Sequence, residues 1–144
     1  MIGFLLGTTA ISELRKPKPN AGFQAWLAAQ ADHRLFVSAL TIGELRVGIA
    51  LLEESPRRAE LDRWLSHGIV PRFGSRILPF DTHAAIVWGE AVARARRRTL
   101  HLPFVDSQIA AIARANGLAI VTRNERDFPA EPFEGLLEVL NPWS

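Results

Sequence analysis

One helix and one strand decide the fold of this chain, and they lie in Leu102-Pro-Phe-Val-Asp106-Ser-Gln-Ile-Ala-Ala-Ile-Ala-Arg-Ala-Asn-Gly117 and Leu118-Ala-Ile-Val-Thr122. Pro103 precedes the predicted helix because proline cannot continue a helix from upstream. Ile109, Ile112 and Ala113 recur at helical spacing, and Gly117 supplies a left-handed cap. The apolar run that follows does not alternate with polar residues, which is typical of a strand buried on both faces of a parallel sheet.

Acidic residues lie at the two ends of this segment. Asp106 falls in the first turn of the predicted helix, and Asp127 lies in the polar turn Thr122-Arg-Asn-Glu-Arg-Asp-Phe128 that follows the strand. Ligands of open α/β sheets bind beyond the carboxyl ends of the strands. The sequence therefore predicts that the functional site lies at this edge of the sheet.

The remaining chain alternates short apolar runs with helical patterns. Further strands are predicted at Ile2–Leu6, Leu35–Val37, Arg76–Phe80 and Leu136–Leu140. Helices are predicted at Ala10–Leu14 behind a cap at Thr8 or Thr9, after Asn20, from Ser38 or Thr41, from Pro56 to about Ile69, and after Asp81. The helix from Ser38 or Thr41 is predicted to direct Ile42, Leu45, Ile49 and Leu52 inward, and the helix after Asp81 carries Ile86, Val87, Ala91 and Ala95. This alternation predicts an α/β fold, a three-layer sandwich with a central parallel sheet and helices on both faces.

The composition limits the classes of function. The 144 residues suit a single domain that spans positions 1–144. Cysteine is absent, which excludes disulfides, thiolate metal sites and cysteine nucleophiles, and the four histidines are scattered singly. The net charge of +2 permits a nucleic-acid partner without requiring one. The N-terminal apolar run is too short for a signal peptide or a membrane span, so we expect a cytoplasmic protein with no membrane partner.

Three carboxylates, those of Glu44, Asp106 and Asp127, fall where the ends of the predicted strands would place them. Each also has a purely structural interpretation. Thr41 and Glu44 match a capping box, while Asp106 can complement the helix dipole and Asp127 can serve the turn. Carboxylates that share one cleft repel one another and require a cation, and magnesium prefers oxygen ligands. If the three converge, they predict a site for a divalent cation that stabilises charge on a phosphate.

A basic cluster ends the helix that follows Asp81, at Arg94, Arg96, Arg97 and Arg98. Such a cluster can be a solvated helix end that complements the dipole. It can equally bind phosphates, since guanidinium groups bond them in a bidentate way. The sequence leaves both interpretations open. As nucleic-acid contacts, the candidates are Arg96, Arg97, Arg98 and Arg123.

Five short segments carry a family resemblance through their order and spacing: Thr8-Thr-Ala-Ile-Ser-Glu-Leu14, Ser38-Ala-Leu-Thr-Ile-Gly-Glu-Leu45, Asp106-Ser-Gln-Ile-Ala, Thr122-Arg-Asn-Glu-Arg-Asp-Phe128 and Asn141-Pro-Trp143. In these segments the chain resembles the PIN-domain ribonuclease toxins of the VapC type, which belong to type II toxin–antitoxin systems. The similarity runs over nearly the whole length. It implies a PIN-like sandwich and endoribonuclease activity that depends on Mg²⁺ or Mn²⁺.

The resemblance also implies roles for individual residues and partners. It makes Glu44, Asp106 and Asp127 the catalytic acids and metal ligands, with Thr8, Ser38, Thr122 and Asn124 as supporting polar groups. It implies a VapB-type antitoxin that inserts into the active-site groove, a homodimer, and an RNA substrate such as tRNA or rRNA. Operator DNA would be bound only through the antitoxin. The chain has more large apolar side chains than a small core needs, and these could form such protein contacts. They include Trp26, Trp64, Trp88, Leu51, Leu52 and Ile69.

Gly7 departs from the family pattern. The family places an aspartate directly after the first strand, before the threonine that is Thr8 here, and glycine has no side chain to bind a metal. The sequence therefore predicts that this form is inactive or nearly so, and that Gly7→Asp restores metal-dependent cleavage. One alternative is a catalytically inactive PIN domain that binds its antitoxin or joins the antitoxin–DNA complex. Another is a different phosphoryl-transfer enzyme on a similar sheet, which would need an aspartate nucleophile where Gly7 lies.

Overall fold

The structure, a computed structural model, describes residues 3–144 of the chain. The strands are β1 (Gly3–Leu6), β2 (Leu35–Ser38), β3 (Ile77–Leu78), β4 (Leu118–Val121) and β5 (Val139–Leu140). The helices are α1 (Thr8–Glu13), α2 (Ala21–Ala28), α3 (Ala39–Ala50), α4 (Pro56–Arg63), α5 (Val70–Phe73), α6 (Thr82–Arg97) and α7 (Phe104–Ala115), with a π-helical segment at Trp64–Ile69. Within residues 3–144, none of these helices has the length and apolar character needed to span a bilayer.

All five strands form one parallel sheet in the order β3-β2-β1-β4-β5. The central strands β1 and β4 are buried on both faces, which explains why their sequences do not alternate. Phe4 and Leu6 contact the core that α1 to α5 complete, whereas Leu5 and Ile120 contact the core beneath α6 and α7. The predicted α/β sandwich, with a parallel sheet and helices on both faces, is confirmed.

The carboxyl ends of the central strands meet at one edge of the sheet. Leu6 pairs with Val121 and Leu5 pairs with Phe36, all in parallel register. The predicted meeting of these strand ends is therefore confirmed for the described residues. Ile2, which the first predicted strand included, lies outside the described residues.

The helix α1 begins earlier than predicted, and α3 starts from Ser38, the earlier of its two predicted starts, because each follows its strand without a loop. Gly7 is the N-cap of α1, so the cap expected from Thr8 or Thr9 is wrong, and no side chain caps this helix. Ser38 is both the last residue of β2 and the N-cap of α3, and its Oγ accepts a hydrogen bond from the Thr41 N–H at 3.0 Å. The capping box expected at Thr41 and Glu44 is therefore wrong, and Glu44 lies well inside α3.

Leu52, which was predicted to face inward, is exposed, and so is Ile86 of α6. Leu52 follows the end of α3 at Ala50, so the helical spacing no longer applies to it. Ile86 lies two positions after the buried Ala84, which places it on another face of α6. The buried residues of α6 are the small Ala84, Ala91 and Ala95.

The remaining differences concern the ends of elements. The helix expected from Pro56 to about Ile69 continues through the π-helical segment to Phe73. The strands expected at Arg76–Phe80 and Leu136–Leu140 shorten to two residues each, at β3 and β5. Both are edge strands with a single neighbour, and each pairs over only two residues.

Candidate active site

Gly7 lies at the carboxyl end of β1 and is buried. Its N–H donates to the Val121 carbonyl at 2.9 Å, so the pairing with β4 continues through it. Its φ of −73° and ψ of 174° are extended values that any L-residue adopts, so the backbone does not require glycine. A Cβ at this position would lie 3.1 Å from the Val121 carbonyl oxygen and 3.6 Å from Thr122 Cβ. A side chain here therefore requires the Val121 carbonyl to move by a few tenths of an ångström.

Glu44 is held beside this strand end by a residue of another helix. The Thr8 hydroxyl, on the first residue of α1, donates to Glu44 Oε1 at 2.9 Å. Both side chains are half-buried. This bond fixes the Glu44 carboxylate next to Gly7, the residue that precedes Thr8.

Asp106 enters the same edge from α7, whose third residue it is. Burial raises the pKa of Asp106, and the neighbouring carboxylates of Asp127 and Glu44 raise it further, from the usual 3.8 to about 6. Loss of water around the carboxylate is the larger cause of the raised pKa, and repulsion by the two like charges adds to it. The structure thus places the three predicted acids within one electrostatic environment.

The three carboxylates do not by themselves form a complete metal site. Within residues 3–144, no three acidic or histidine side chains lie close enough together to hold one ion. Their chemistry nevertheless fits a divalent cation, because Mg²⁺ and Mn²⁺ prefer carboxylate oxygens and a cation would relieve the repulsion at Asp106. The three carboxylates are therefore suitable in kind for such a cation, although the described residues do not gather them around one ion.

Hydroxyl groups fasten the turn after β4 to α1. Thr9 Oγ1 accepts a hydrogen bond from the Arg123 N–H at 3.1 Å and lies 3.5 Å from Thr122 Oγ1. Thr122 Oγ1 accepts from the Asn124 N–H at 3.0 Å. Sequence reasoning treated Thr9 as a helix cap and missed this role, although its place directly after Thr8 was a usable signal.

Asp127 is positioned by the same turn. Its N–H donates to the Asn124 carbonyl at 3.2 Å and closes the 3₁₀ turn Glu125–Asp127. Asn124 is exposed and contributes its main chain to this turn. Thr122 and Asn124 therefore support the site through the backbone that carries Asp127.

Ser38 lies near the strand ends but is occupied elsewhere. It is fully buried, its Oγ caps α3, and its hydroxyl donates to Thr41 Oγ1 at 3.3 Å. Its support for the site is therefore indirect, through the position of the helix that carries Glu44.

The arginines predicted to contact RNA differ in whether an acidic side chain pairs with them. Arg98 forms an exposed ion pair with Glu131, with which a phosphate would have to compete. Within the described part of the chain, Arg96, Arg97 and Arg123 are exposed and have no acidic partner. Arg96 lines a cavity of about 220 Å³ with residues that include Phe104 and Ser107 near the start of α7. Arg94, the other member of the basic cluster, bonds Glu90, Glu134 and the Pro132 carbonyl.

Known proteins share this fold and much of this sequence. The plasmid stability protein StbB of Pseudomonas syringae pv. tomato is 39% identical over 139 residues, which cover 96% of this chain and 97% of that protein. Toxin FitB of Neisseria gonorrhoeae is 35% identical over 139 residues, with the same 96% and 97% coverage. The VapC ribonuclease Y4jK of Sinorhizobium fredii is 35% identical over 140 residues, which cover 96% of each chain.

Structural comparison agrees with the sequence matches. The structure of FitAB bound to an IR36 DNA fragment contains a chain that superposes with a TM-score of 0.86 at 33% identity, covering 98% of this chain and 96% of that one. A family model described as the PIN domain matches residues 4–132, from β1 to the 3₁₀ turn after Asp127. The chain belongs to the PIN-domain family.

Proposed function

We propose that this chain, as a single domain over positions 1–144, is the toxin of a type II toxin–antitoxin pair, built as a metal-dependent endoribonuclease. We further propose that Gly7 leaves it with little or no cleavage activity. One observation carries the proposal: at the sheet edge where β1 ends in Gly7, the Thr8 hydroxyl holds the Glu44 carboxylate, and Glu44 and Asp127 lie near enough to Asp106 to act on its charge. The names of the relatives toxin FitB and VapC ribonuclease Y4jK support the same function.

Each site residue has a separate task in this proposal. Glu44, Asp106 and Asp127 would hold Mg²⁺ or Mn²⁺, which when bound activates water and stabilises negative charge on a phosphate. Thr8 holds the Glu44 carboxylate through its hydroxyl, and the Thr122 turn sets the position of Asp127. Arg96, Arg97 and Arg123 are the predicted RNA contacts that lack an acidic partner among the described residues.

The missing aspartate side chain at position 7 would affect how the cation is positioned. An aspartate there would place a fourth carboxylate at the end of β1, between the acids of α3 and α7. Without it, the site loses a negative charge and a fixed point for the cation. Misplacement of reacting groups by about 1 Å costs on the order of 10²-fold in rate, so we expect a defect of at least that size.

The partners proposed are an antitoxin of the VapB type and a second copy of the chain. The relative FitAB, solved on a DNA fragment, supports an antitoxin complex that reaches operator DNA. Val47 and Leu51, near the end of α3, are 60% and 80% exposed and offer apolar contact area. The large tryptophans expected to contribute, Trp26, Trp64 and Trp88, instead pack against the core. The incomplete donor set favours a second candidate function, an inactive PIN domain that only binds its antitoxin.

The deciding experiment compares the natural chain with Gly7→Asp and Gly7→Asn on mixed tRNA and rRNA. Asparagine matches the size of aspartate without its charge, so it controls for the contact with Val121. We expect cleavage only from Gly7→Asp, dependent on Mg²⁺ or Mn²⁺ and abolished by a chelator. Equal cleavage by the natural chain would remove position 7 from the metal centre. A Gly7→Asp protein that binds the cation in calorimetry but leaves RNA intact would favour the binding module.

A further inference from the structure

We propose that α1 carries a binding site for a backbone phosphate of single-stranded RNA, formed by Ser12, Arg15 and Arg123 beside the acid cluster. The inference rests on the proposed function, because it takes RNA as the ligand. It identifies where the strand lies as it leaves the acids, a role that the sequence had assigned to Arg96, Arg97 and Arg98 as well as Arg123.

A polar ridge runs along α1 away from the acids. Thr8 and Ser12 are four positions apart and lie on one face of the helix. Arg15 follows in the turn that ends the helix, with its N–H 3.4 Å from the Ser12 carbonyl oxygen. Because Thr8 bonds Glu44, one end of this ridge touches the acid cluster.

Two cavities flank the ridge, and Thr8 and Ser12 line both of them. The larger, of about 370 Å³, also includes Glu44 and Arg15. The smaller, of about 200 Å³, also includes Arg123. A group seated over Ser12 therefore has an arginine on each side.

The polar groups along the ridge are free to bind a ligand. Within residues 3–144, the Ser12 hydroxyl has no hydrogen-bond partner, and the guanidinium groups of Arg15 and Arg123 have no acidic partner. Both arginines are exposed, and Ser12 is half-buried.

The acidic residue of the smaller cavity is already compensated. Glu13 accepts hydrogen bonds from Lys16 Nζ at 3.0 Å, the Asn20 N–H at 2.8 Å and Trp143 Nε1 at 3.1 Å. The Glu13 carboxylate is therefore already matched by donors other than Arg15 and Arg123.

This combination fits a phosphodiester. Guanidinium groups and a hydroxyl donate to phosphate oxygens, and contacts to phosphate fix register without reading sequence. The adjoining acids repel an RNA strand in the absence of a cation, and cationic side chains next to them offset that repulsion. The rival basic cluster is weaker in this respect, since Arg98 is paired with Glu131 and Arg94 with Glu90 and Glu134.

The test measures binding without cleavage. A labelled single-stranded RNA of about 12 nucleotides is titrated with the natural chain in a chelator, and anisotropy is followed between about 50 and 200 mM salt. The test variant is Arg15→Gln with Arg123→Gln. The matched control is Arg63→Gln with Arg114→Gln, which removes the same charge from α4 and α7. Ser12→Ala probes the hydroxyl alone, and circular dichroism checks that each variant folds.

We expect the Arg15 and Arg123 pair to raise the Kd on the order of tenfold and to reduce the salt slope by about 1.4, since each phosphate contact on a single strand contributes about 0.7. The control pair should leave both quantities near those of the natural chain. Ser12→Ala should weaken binding several-fold with an unchanged slope, because it removes no charge.

Two outcomes overturn the inference. One is an RNA affinity and slope unchanged by the Arg15 and Arg123 pair. The other is a loss found only in a third variant, Arg96→Gln with Arg97→Gln. Failure of the proposed function gives a different result. In that case Gly7→Asp would not cleave RNA, while the substitutions at Arg15 and Arg123 would still change RNA binding.

Discussion

The Thr8 hydroxyl donates to Glu44 Oε1 at 2.9 Å, and this bond joins α1 to α3 at the end of β1. Thr8→Val keeps the shape of the side chain and leaves a half-buried carboxylate without its donor. We expect it to lower the free energy of unfolding by about 1 kcal/mol, measured by urea denaturation.

The matched control for this bond is Thr82→Val. Thr82 is exposed at the start of α6 and has no side-chain hydrogen bond among the described residues. Its replacement should change the free energy of unfolding by no more than about 0.5 kcal/mol. Equal losses in the two variants would show that the Thr8–Glu44 bond contributes no stability of its own.

Gly7→Asp should destabilise the metal-free protein and make its stability depend on a cation. The new Cβ lies close to the Val121 carbonyl, and the new carboxylate joins a cluster that already raises the pKa of Asp106. Crowding of this kind costs roughly 1–3 kcal/mol. Thermal unfolding in chelator and in MnCl₂ measures both effects.

Gly7→Asn separates crowding from charge in that experiment. It should share the steric part of the loss and gain nothing when Mn²⁺ is added. A cation that stabilises the asparagine variant as much as the aspartate variant would mean that position 7 does not bind the metal.

Asp106 should make the metal-free protein less stable as the pH rises. Burial and its acidic neighbours raise the pKa of Asp106 from 3.8 to about 6, so the folded state holds this proton more tightly than the unfolded state does. Its contribution to stability is therefore greatest below about pH 4 and is lost as the pH rises through about 6.

Asp106→Asn removes this dependence. At pH 7 to 8 in chelator, we expect the variant to be more stable than the natural chain, on the order of 1–2 kcal/mol after solvent screening at a half-buried position. Near pH 4 the difference should largely vanish. Urea denaturation across this range provides the measurement, and a constant difference at every pH would contradict the assignment.

Glu13 and Trp143 should be coupled. Burial raises the pKa of Glu13, but hydrogen bonds from the Asn20 N–H, Lys16 and Trp143 lower it more, so the net pKa lies below its usual 4.5. The stability from Glu13 is therefore present at neutral pH and is lost as the pH falls below about 4.5.

A double-mutant cycle isolates this contact. Trp143→Phe removes the indole donor but keeps a ring against Phe23, which lies 4.7 Å away between centroids. Glu13→Gln removes the charge. We expect a coupling free energy of about 0.5–1.5 kcal/mol at pH 7 that declines as the pH falls below about 4.5. Additive effects at pH 7 would show that the indole bond is not coupled to the carboxylate.

The sequence by itself determined the order of the main strands and helices and the edge of the sheet at which the three acids lie. Local patterns sufficed, because burial on both faces gives unbroken apolar runs at β1 and β4, and the caps Asn20, Ser38 and Asp81 act within their own helices. The family segments, including the acids Glu44, Asp106 and Asp127, could also be read from their order along the chain.

Only the tertiary structure decided what the polar side chains contact. Thr8 and Glu44 are 36 positions apart, Thr9 and Arg123 are 114 apart, and Glu13 and Trp143 are 130 apart. No local sequence pattern identifies partners that are so far apart. The local interpretations, a helix cap at Thr8 or Thr9 and a capping box at Glu44, were both wrong. A threonine hydroxyl can cap its own helix or donate to a distant carboxylate. The parallel packing of β1 between β2 and β4 favours the second bond here, because it brings the distant group within hydrogen-bond reach.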